Sequence, residues 1–195
     1  MRNFRTVFVF LTALGSFIPP AESTTITKVG LPELARRSPT IVHGTVVSTQ
    51  SHWTDDHTLI VTDVRVRVHT VVRGDPAREI ILTQLGGEVG KLRVDVDGAA
   101  PLVVGNEAVL FLHEDARGQL AVTGLSQGRF PVVENRTRGT KTVHGITSED
   151  LAALGLAQKP SPGGGAATKA RRGVSIDEFL NGIKGLLPVK DAGGR

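Results

Sequence analysis

HTLIVTDVRVRVHTVVRGD, residues 57–75, is the stretch that decides the fold. From Ile60 to Thr70 it alternates: Ile60, Thr62, Val64, Val66, Val68 and Thr70 fall on one face, and Asp63, Arg65, Arg67 and His69 on the other. A period of two with β-branched residues on one side is the pattern of a strand with one buried and one wet face. The run is about twice the usual ~5–6 residues of a strand. Twist accumulates along so long a strand, which therefore bends across two layers or around a small barrel.

The same reading extends outward from this strand. Residues 40–51 precede it, dense in Ile41, Val42, Val46 and Val47, with Gly44 permitting a bulge. Residues 79–85 follow, closed by Gly86-Gly87. Residues 91–96 alternate again, with Leu92, Val94 and Val96 expected inward. In residues 107–113, Ala108 to Leu112 are consecutive apolar residues, the sign of a strand buried on both faces. Residues 119–123, 127–134 and 140–144 complete eight expected strands. Turns recur every 8–15 residues with no helix between them, which defines a barrel or sandwich. The fold class is all-β and mainly antiparallel, with two kinds of helical flank. Leu31 to Arg37, with Pro32 early, Glu33 beside it and two arginines at the end, is a short N-terminal helix stopped by Pro39.

Beyond residue 145 the character changes. The domain reading is a barrel over residues 24–145, then a small helix opened by a Ser148 cap and a Pro/Gly-rich basic linker over residues 146–173. A C-terminal amphipathic helix spans residues 174–188. It is capped by Ser175 and Glu178 and carries Ile176, Phe179, Leu180, Ile183 and Leu187 on one face. Residues 189–195 form a disordered tail. A helix of this length does not stand alone in water, so it either docks on the barrel or serves as a handle for a partner.

The first residues point to a compartment. Arg2 and Arg5 precede an apolar run over residues 6–18, Pro19-Pro20 breaks it, and Ala21-Glu22-Ser23 puts small residues where a signal peptidase reads. Residues 1–23 therefore read as a signal peptide cleaved after Ser23, and the protein as secreted or periplasmic. The run is shorter than the ~20 residues a spanning helix needs, and no later stretch is apolar enough to span. The chain has no cysteine, which excludes thiolate zinc sites, cysteine nucleophiles and dithiol redox chemistry. The net charge of +4 raises nucleic acid as a partner. Single-strand binding also needs aromatic platforms, and only Trp53, Phe111 and Phe130 offer themselves, so no nucleic acid is expected.

Chemistry-bearing residues are sparse. His52, Asp55, Asp56 and His57 sit together between the first two strands and are ligand types a divalent metal accepts. Their spacing matches no metal motif, and the other reading is a polar hairpin loop with Trp53 folded onto the barrel. His43, His69, His113 and His144 lie in strands, His69 on the wet face and the others satisfied by backbone bonds. No Gly-x-Ser-x-Gly elbow and no acid/base carboxylate pair is present. The Gly86–Gly90 stretch joins strands and opens no helix, so it is no phosphate cradle. Because rigid β scaffolds present function on loops, Trp53, Gly86, Gly87 and Glu88 are the candidate partner-binding residues. No cofactor is implied.

Several of these segments together resemble a family of exported bacterial proteins. They are Ile41-Val42-His43-Gly44-Thr45-Val46-Val47, Val71-Val72-Arg73-Gly74, Gly86-Gly87, Gly105 with Val109 to Leu112, Gly124 with Gln127 to Phe130, and Glu178-Phe179-Leu180. The resemblance implies an OB-type barrel akin to the netrin-like domain of tissue inhibitors of metalloproteinases. It also implies a non-enzymatic protein-binding role toward another extracytoplasmic protein, as accessory to or inhibitor of a secreted metalloprotease. Those inhibitors chelate zinc through an N-terminal cysteine, and here the expected mature end is Thr24-Thr25. The alternatives from other classes are a metal-dependent extracytoplasmic enzyme built on the 52–57 loop, and a structural envelope component.

Overall fold

The computed structural model describes residues 28–157 and 173–188; the expected signal peptide, most of the basic linker and the tail lie outside the described residues. The helix α1 (Leu31–Arg37) is followed by β1 (Thr40–Trp53), β2 (Ile60–Arg73), β3 (Glu79–Leu85), β4 (Gly87–Val89), β5 (Leu92–Val94) and β6 (Glu107–Glu114). Then come β7 (Leu120–Val122), a 3₁₀ turn at Leu125–Gly128, β8 (Arg129–Asn135), β9 (Thr140–Val143), α2 (Ser148–Ala153), β10 (Val174–Ser175) and α3 (Ile176–Leu186).

The strands pair in the order β1-β2-β3-β7-β6, and β6 pairs back onto β1. That closes a five-stranded ring, antiparallel except for the parallel β3–β7 contact. It is a small OB-like barrel, closed between β3 and β7 by the single pair Leu82–Leu120, the partly open form of such barrels. The long alternating stretch behaves as its pattern demands: Val64 and Val66 are buried while Arg65 and Arg67 are exposed. Val42, Val46, Val64, Val66, Ile80, Leu82, Ala108, Leu110 and Leu112 fill the barrel.

A second core lies outside the ring. Beyond β7, β6 hands its pairing to β8, and β8-β9-β10 extend as an outer sheet. The outward residues of the shared strands, Ile41, Val109 and Phe111, pack with Phe130, Val132 and Val143, with α1 and α3 through Leu31, Leu34, Phe179, Leu180 and Ile183, and with partly buried Leu151 of α2. This is why Ala108 to Leu112 are consecutively apolar: each face of β6 lines a different core. The C-terminal helix is docked, with Phe179 and Ile183 fully buried, and β10 and α3 complete the core of the barrel's outer face.

Four local expectations are corrected. The inward 91–96 strand is instead β5, paired among the described residues with β4 alone and exposed throughout, with Leu92 57% and Val94 43% accessible. Its partner β4 occupies what read as a glycine loop. Gln127-Gly128 belong to the 3₁₀ turn and not to β8. The cap of α2 is Thr147, whose hydroxyl accepts from the Asp150 N–H, and not Ser148.

Asp150 ties this region together. Its buried carboxylate accepts from the Leu31 N–H at 3.1 Å, from the Thr147 N–H at 2.9 Å and from the Thr147 hydroxyl at 2.7 Å. One side chain thus caps α2 and satisfies the first turn of α1. Asp150→Ala leaves a buried N–H at Leu31 without its partner and removes the capping box. The expected cost is about 2–3 kcal/mol, read as a lowered urea midpoint at constant slope.

Candidate functional site

The β1–β2 hairpin runs on past the ring, and its tip is the 54–59 loop. The loop is held by its own side chains. The Asp56 carboxylate accepts from the Thr54 hydroxyl at 2.5 Å, the Thr58 hydroxyl at 2.8 Å and the Thr58 N–H at 3.1 Å. Those bonds, the hydroxyl of Thr54 first, hold its pKa down to about 2. His52 turns away along β1, its Nδ1 on the Trp53 carbonyl at 2.8 Å and its Nε2 on Asp63 at 3.2 Å. The carbonyl bond and the Asp63 charge raise its pKa above the ordinary histidine value. His57 lies in a left-handed conformation, φ 54°, with its ring parallel to that of half-buried Trp53 at 6.5 Å. Of the four candidate ligands His52, Asp55, Asp56 and His57, the side chains of His52, Asp56 and His57 therefore turn to different partners. Among the described residues no group of three or more His, Cys, Asp or Glu side chains is placed to hold a metal ion.

The glycine candidates have structural work in the arm. Gly87 faces the hydroxyls of Ser51 and Thr62 so closely that a Cβ there would stand 2.4 and 2.3 Å from them. Those two hydroxyls bond each other at 2.9 Å, and Thr62 donates to the Gly86 carbonyl at 2.7 Å. So β4 is seated on the β1–β2 arm. Glu88 points outward to Arg93, 3.7 Å away.

Alongside the arm lies the outward face of β2 and β3. Register pairs Asp63 with Thr83, Arg65 with Ile81 and Arg67 with Glu79. Both arginines reach Glu79, at 3.8 and 3.3 Å. On the same face Ile81, opposite Arg65, and Leu85, at the other end of β3 opposite Val61, each stand out with 47% of their surface accessible. In OB folds the face of this strand pair, with neighbouring loops, is a binding surface for oligonucleotides and oligosaccharides.

A second cluster was invisible in the sequence. On the outer face of β1 and β6, His43 Nε2 meets Glu107 at 2.5 Å, and Lys141 of β9 donates to both Glu107 oxygens at 2.9 Å. The ring of His69 lies 5.2 Å from that of His43, and its Nε2 bonds the Thr45 hydroxyl at 2.8 Å. These histidines are thus satisfied by side chains, not by backbone: His144, one residue past β9 and not in a strand, similarly bonds the Thr142 hydroxyl at 3.0 Å. No local signal marks the cluster, because its members come from four strands. The only available hint was a glutamate opening an otherwise apolar strand.

Burial pushes the His43 pKa down, and this outweighs the pull of Glu107 upward. Burial pushes the Glu107 carboxyl up, but the bonds from Lys141 and His43 win and hold it below its ordinary value. A neutral His43 then donates its Nε2–H to an ionised Glu107. Both shifts mean that the unfolded chain binds more protons than the folded one, so stability falls on acidification. The His43 contribution is present above its ordinary value of 6.5 and is lost as pH drops below it. The Glu107 contribution is present above 4.5 and is lost below it. His52, raised, acts in the opposite sense, but it is exposed and screened. In His43→Gln, which keeps a donor to Glu107, the urea midpoint is expected to lose most of its decline between about pH 7 and pH 5. An unchanged decline would assign it elsewhere.

Fold and face together define an OB-like β-barrel module with a mixed apolar and charged strand face. No protein-family model and no curated protein matches the chain.

Proposed function

We propose that this protein is an exported, non-enzymatic binding module whose target is another extracytoplasmic protein, a secreted metalloprotease that it assists or inhibits. The outward β2–β3 face carries this reading: Ile81, beside Arg65, and Leu85, four residues along β3, are each about half accessible, on the surface that such barrels use for binding. Apolar anchors ringed by charges are the composition of a recognition patch. The leader-like first residues and the resemblance to exported OB-type proteins support the compartment and the partner class. With no cysteine in the chain, a protease would be engaged through this face and the arm bearing Trp53, and not through a cysteine on its zinc.

The test is a pull-down from the extracytoplasmic fraction of the producing cell, with the tagged protein beside Ile81→Asp/Leu85→Asp and Trp53→Ala variants. One secreted protease should be enriched by the parent, and its recovery should fall about tenfold or more with the double variant, as loss of hot-spot residues requires. The melting temperature of the double variant should be unchanged, since both side chains already face water. Equal recovery by parent and double variant, or none by either at low salt, would overturn the reading.

A further inference from the structure

The exposed hairpin β4–β5 ends the small sheet on one side: β5 pairs with β4 and, among the described residues, with no other strand. The turn is two residues, Gly90-Lys91, with Gly90 at φ 63°, the conformation of a tight primed hairpin. In such a hairpin the pair beside the turn, Val89 with Leu92, exchanges backbone bonds, and so does every second pair. The N–H and C=O groups of Arg93 therefore face away from β4, and the same alternation carried one residue past the strand turns those of Asp95 the same way.

An unpaired edge with Leu92 and Val94 exposed is a template for another strand. Its sequence says which one. Residues 91–97 read Lys-Leu-Arg-Val-Asp-Val-Asp, basic before Val94 and acidic after it, with apolar residues at 92, 94 and 96. We propose that the outer edge of β5 is a homodimer interface in which two copies pair antiparallel about a two-fold axis through Val94.

In that register Arg93 faces Asp95 of the second copy, Leu92 faces Val96, and Val94 meets itself, the pairing running two residues past β5 (Leu92–Val94). Every charge lies against its opposite and every apolar residue against an apolar one. Shifting the axis to Arg93 would put two arginines face to face, and shifting it to Asp95 two aspartates. Parallel in-register pairing would align like charges throughout. The Val94 register also makes Arg93 and Asp95 a bonded pair, matching the backbone groups that the hairpin leaves free. Within one copy Arg93 already contacts Asp95 at 3.1 Å, so the dimer joins two such pairs into a four-charge cluster. A two-fold axis closes the assembly, as a self-complementary strip requires.

This interface is independent of the β2–β3 face, and its test separates the two. Sedimentation velocity on the purified protein should show a reversible, salt-sensitive monomer–dimer equilibrium. Arg93→Asp places two aspartates against two aspartates, and Asp95→Arg does the same with arginines; each should weaken self-association about tenfold or more. A one-to-one mixture of the two variants should recover the dimer, because the two aspartates of one copy then face the two arginines of the other. The double swap should recover it in a single chain. Recovery by mixing also shows that both variants are folded. A protein monomeric at millimolar concentration, or a dimer indifferent to either single change, would overturn the proposal.

Discussion

Phe179→Ala should cost about 3–5 kcal/mol, the range for deleting a fully buried aromatic ring, and thereby remove most of the stability of a domain this size. Phe179 is wholly inaccessible. Its ring lies 5.1 Å from that of Phe130, which lies 5.5 Å from Phe111. The three tilted rings form a continuous row from α3 through β8 to β6, the strand shared with the barrel. Tilted aromatic contacts of this kind add to the area term. Truncating the last ring opens a void under α3, a helix too short to persist in water, and leaves its docking to Leu180, Ile183 and the short β9–β10 pairing. The expected result is a lowered urea midpoint together with loss of protection at β9 and β10 in hydrogen exchange. If α3 were only a handle for a partner, the midpoint would not move.

That result bears on how far the sequence can be read. The period of two from Ile60 to Thr70 and the unbroken apolar run from Ala108 to Leu112 were decisive because they report local geometry and burial at once. The caps Ser175 and Glu178 placed the start of α3 to the residue, since a capping box is a local bond pattern. Whether α3 docks was not legible, because an apolar helix face does not name what covers it. For the same reason Leu92 and Val94 misled: alternation tells which side chains share a face, not whether that face is covered, and here it lies on an exposed hairpin. The His43–Glu107–Lys141 cluster needs contacts across 64 and 34 residues of chain, which follow only from the β1–β6 and β8–β9 pairings. In the 52–57 loop the residue types were read correctly, but proximity in sequence is not convergence in space: His52 lies in β1, bonded to Asp63 of β2, while His57 lies in the turn against Trp53.

Gly128→Ala should cost about 3 kcal/mol or more, the upper end of what overpacking does, although it adds one methyl group and the position needs no unusual backbone angle. Gly128 sits where β6 passes its pairing from β7 to β8. A Cβ built there would lie 2.3 Å from the Thr123 carbonyl oxygen and 3.1 Å from that of Phe111. Neither oxygen can yield cheaply. The Phe111 carbonyl accepts from the Thr123 N–H at 2.8 Å, a bond that holds the end of β7 against β6. The turn itself is set by Gly124 and Leu125, both left-handed at φ 66° and 59°. It is anchored by the Ser126 N–H on the Gly98 carbonyl at 2.9 Å. Relieving the clash means moving β7 off the barrel or β8 off the outer sheet, so both cores lose packing together. Gly185→Ala is the matched comparison: it lies inside α3 with nothing within 4 Å of its Cβ, and there alanine should stabilise by about 0.5–1 kcal/mol through helix propensity. Opposite shifts of the urea midpoint in the two variants would establish that the handover at Gly128, and not glycine content in general, limits how the barrel and its outer sheet share one strand.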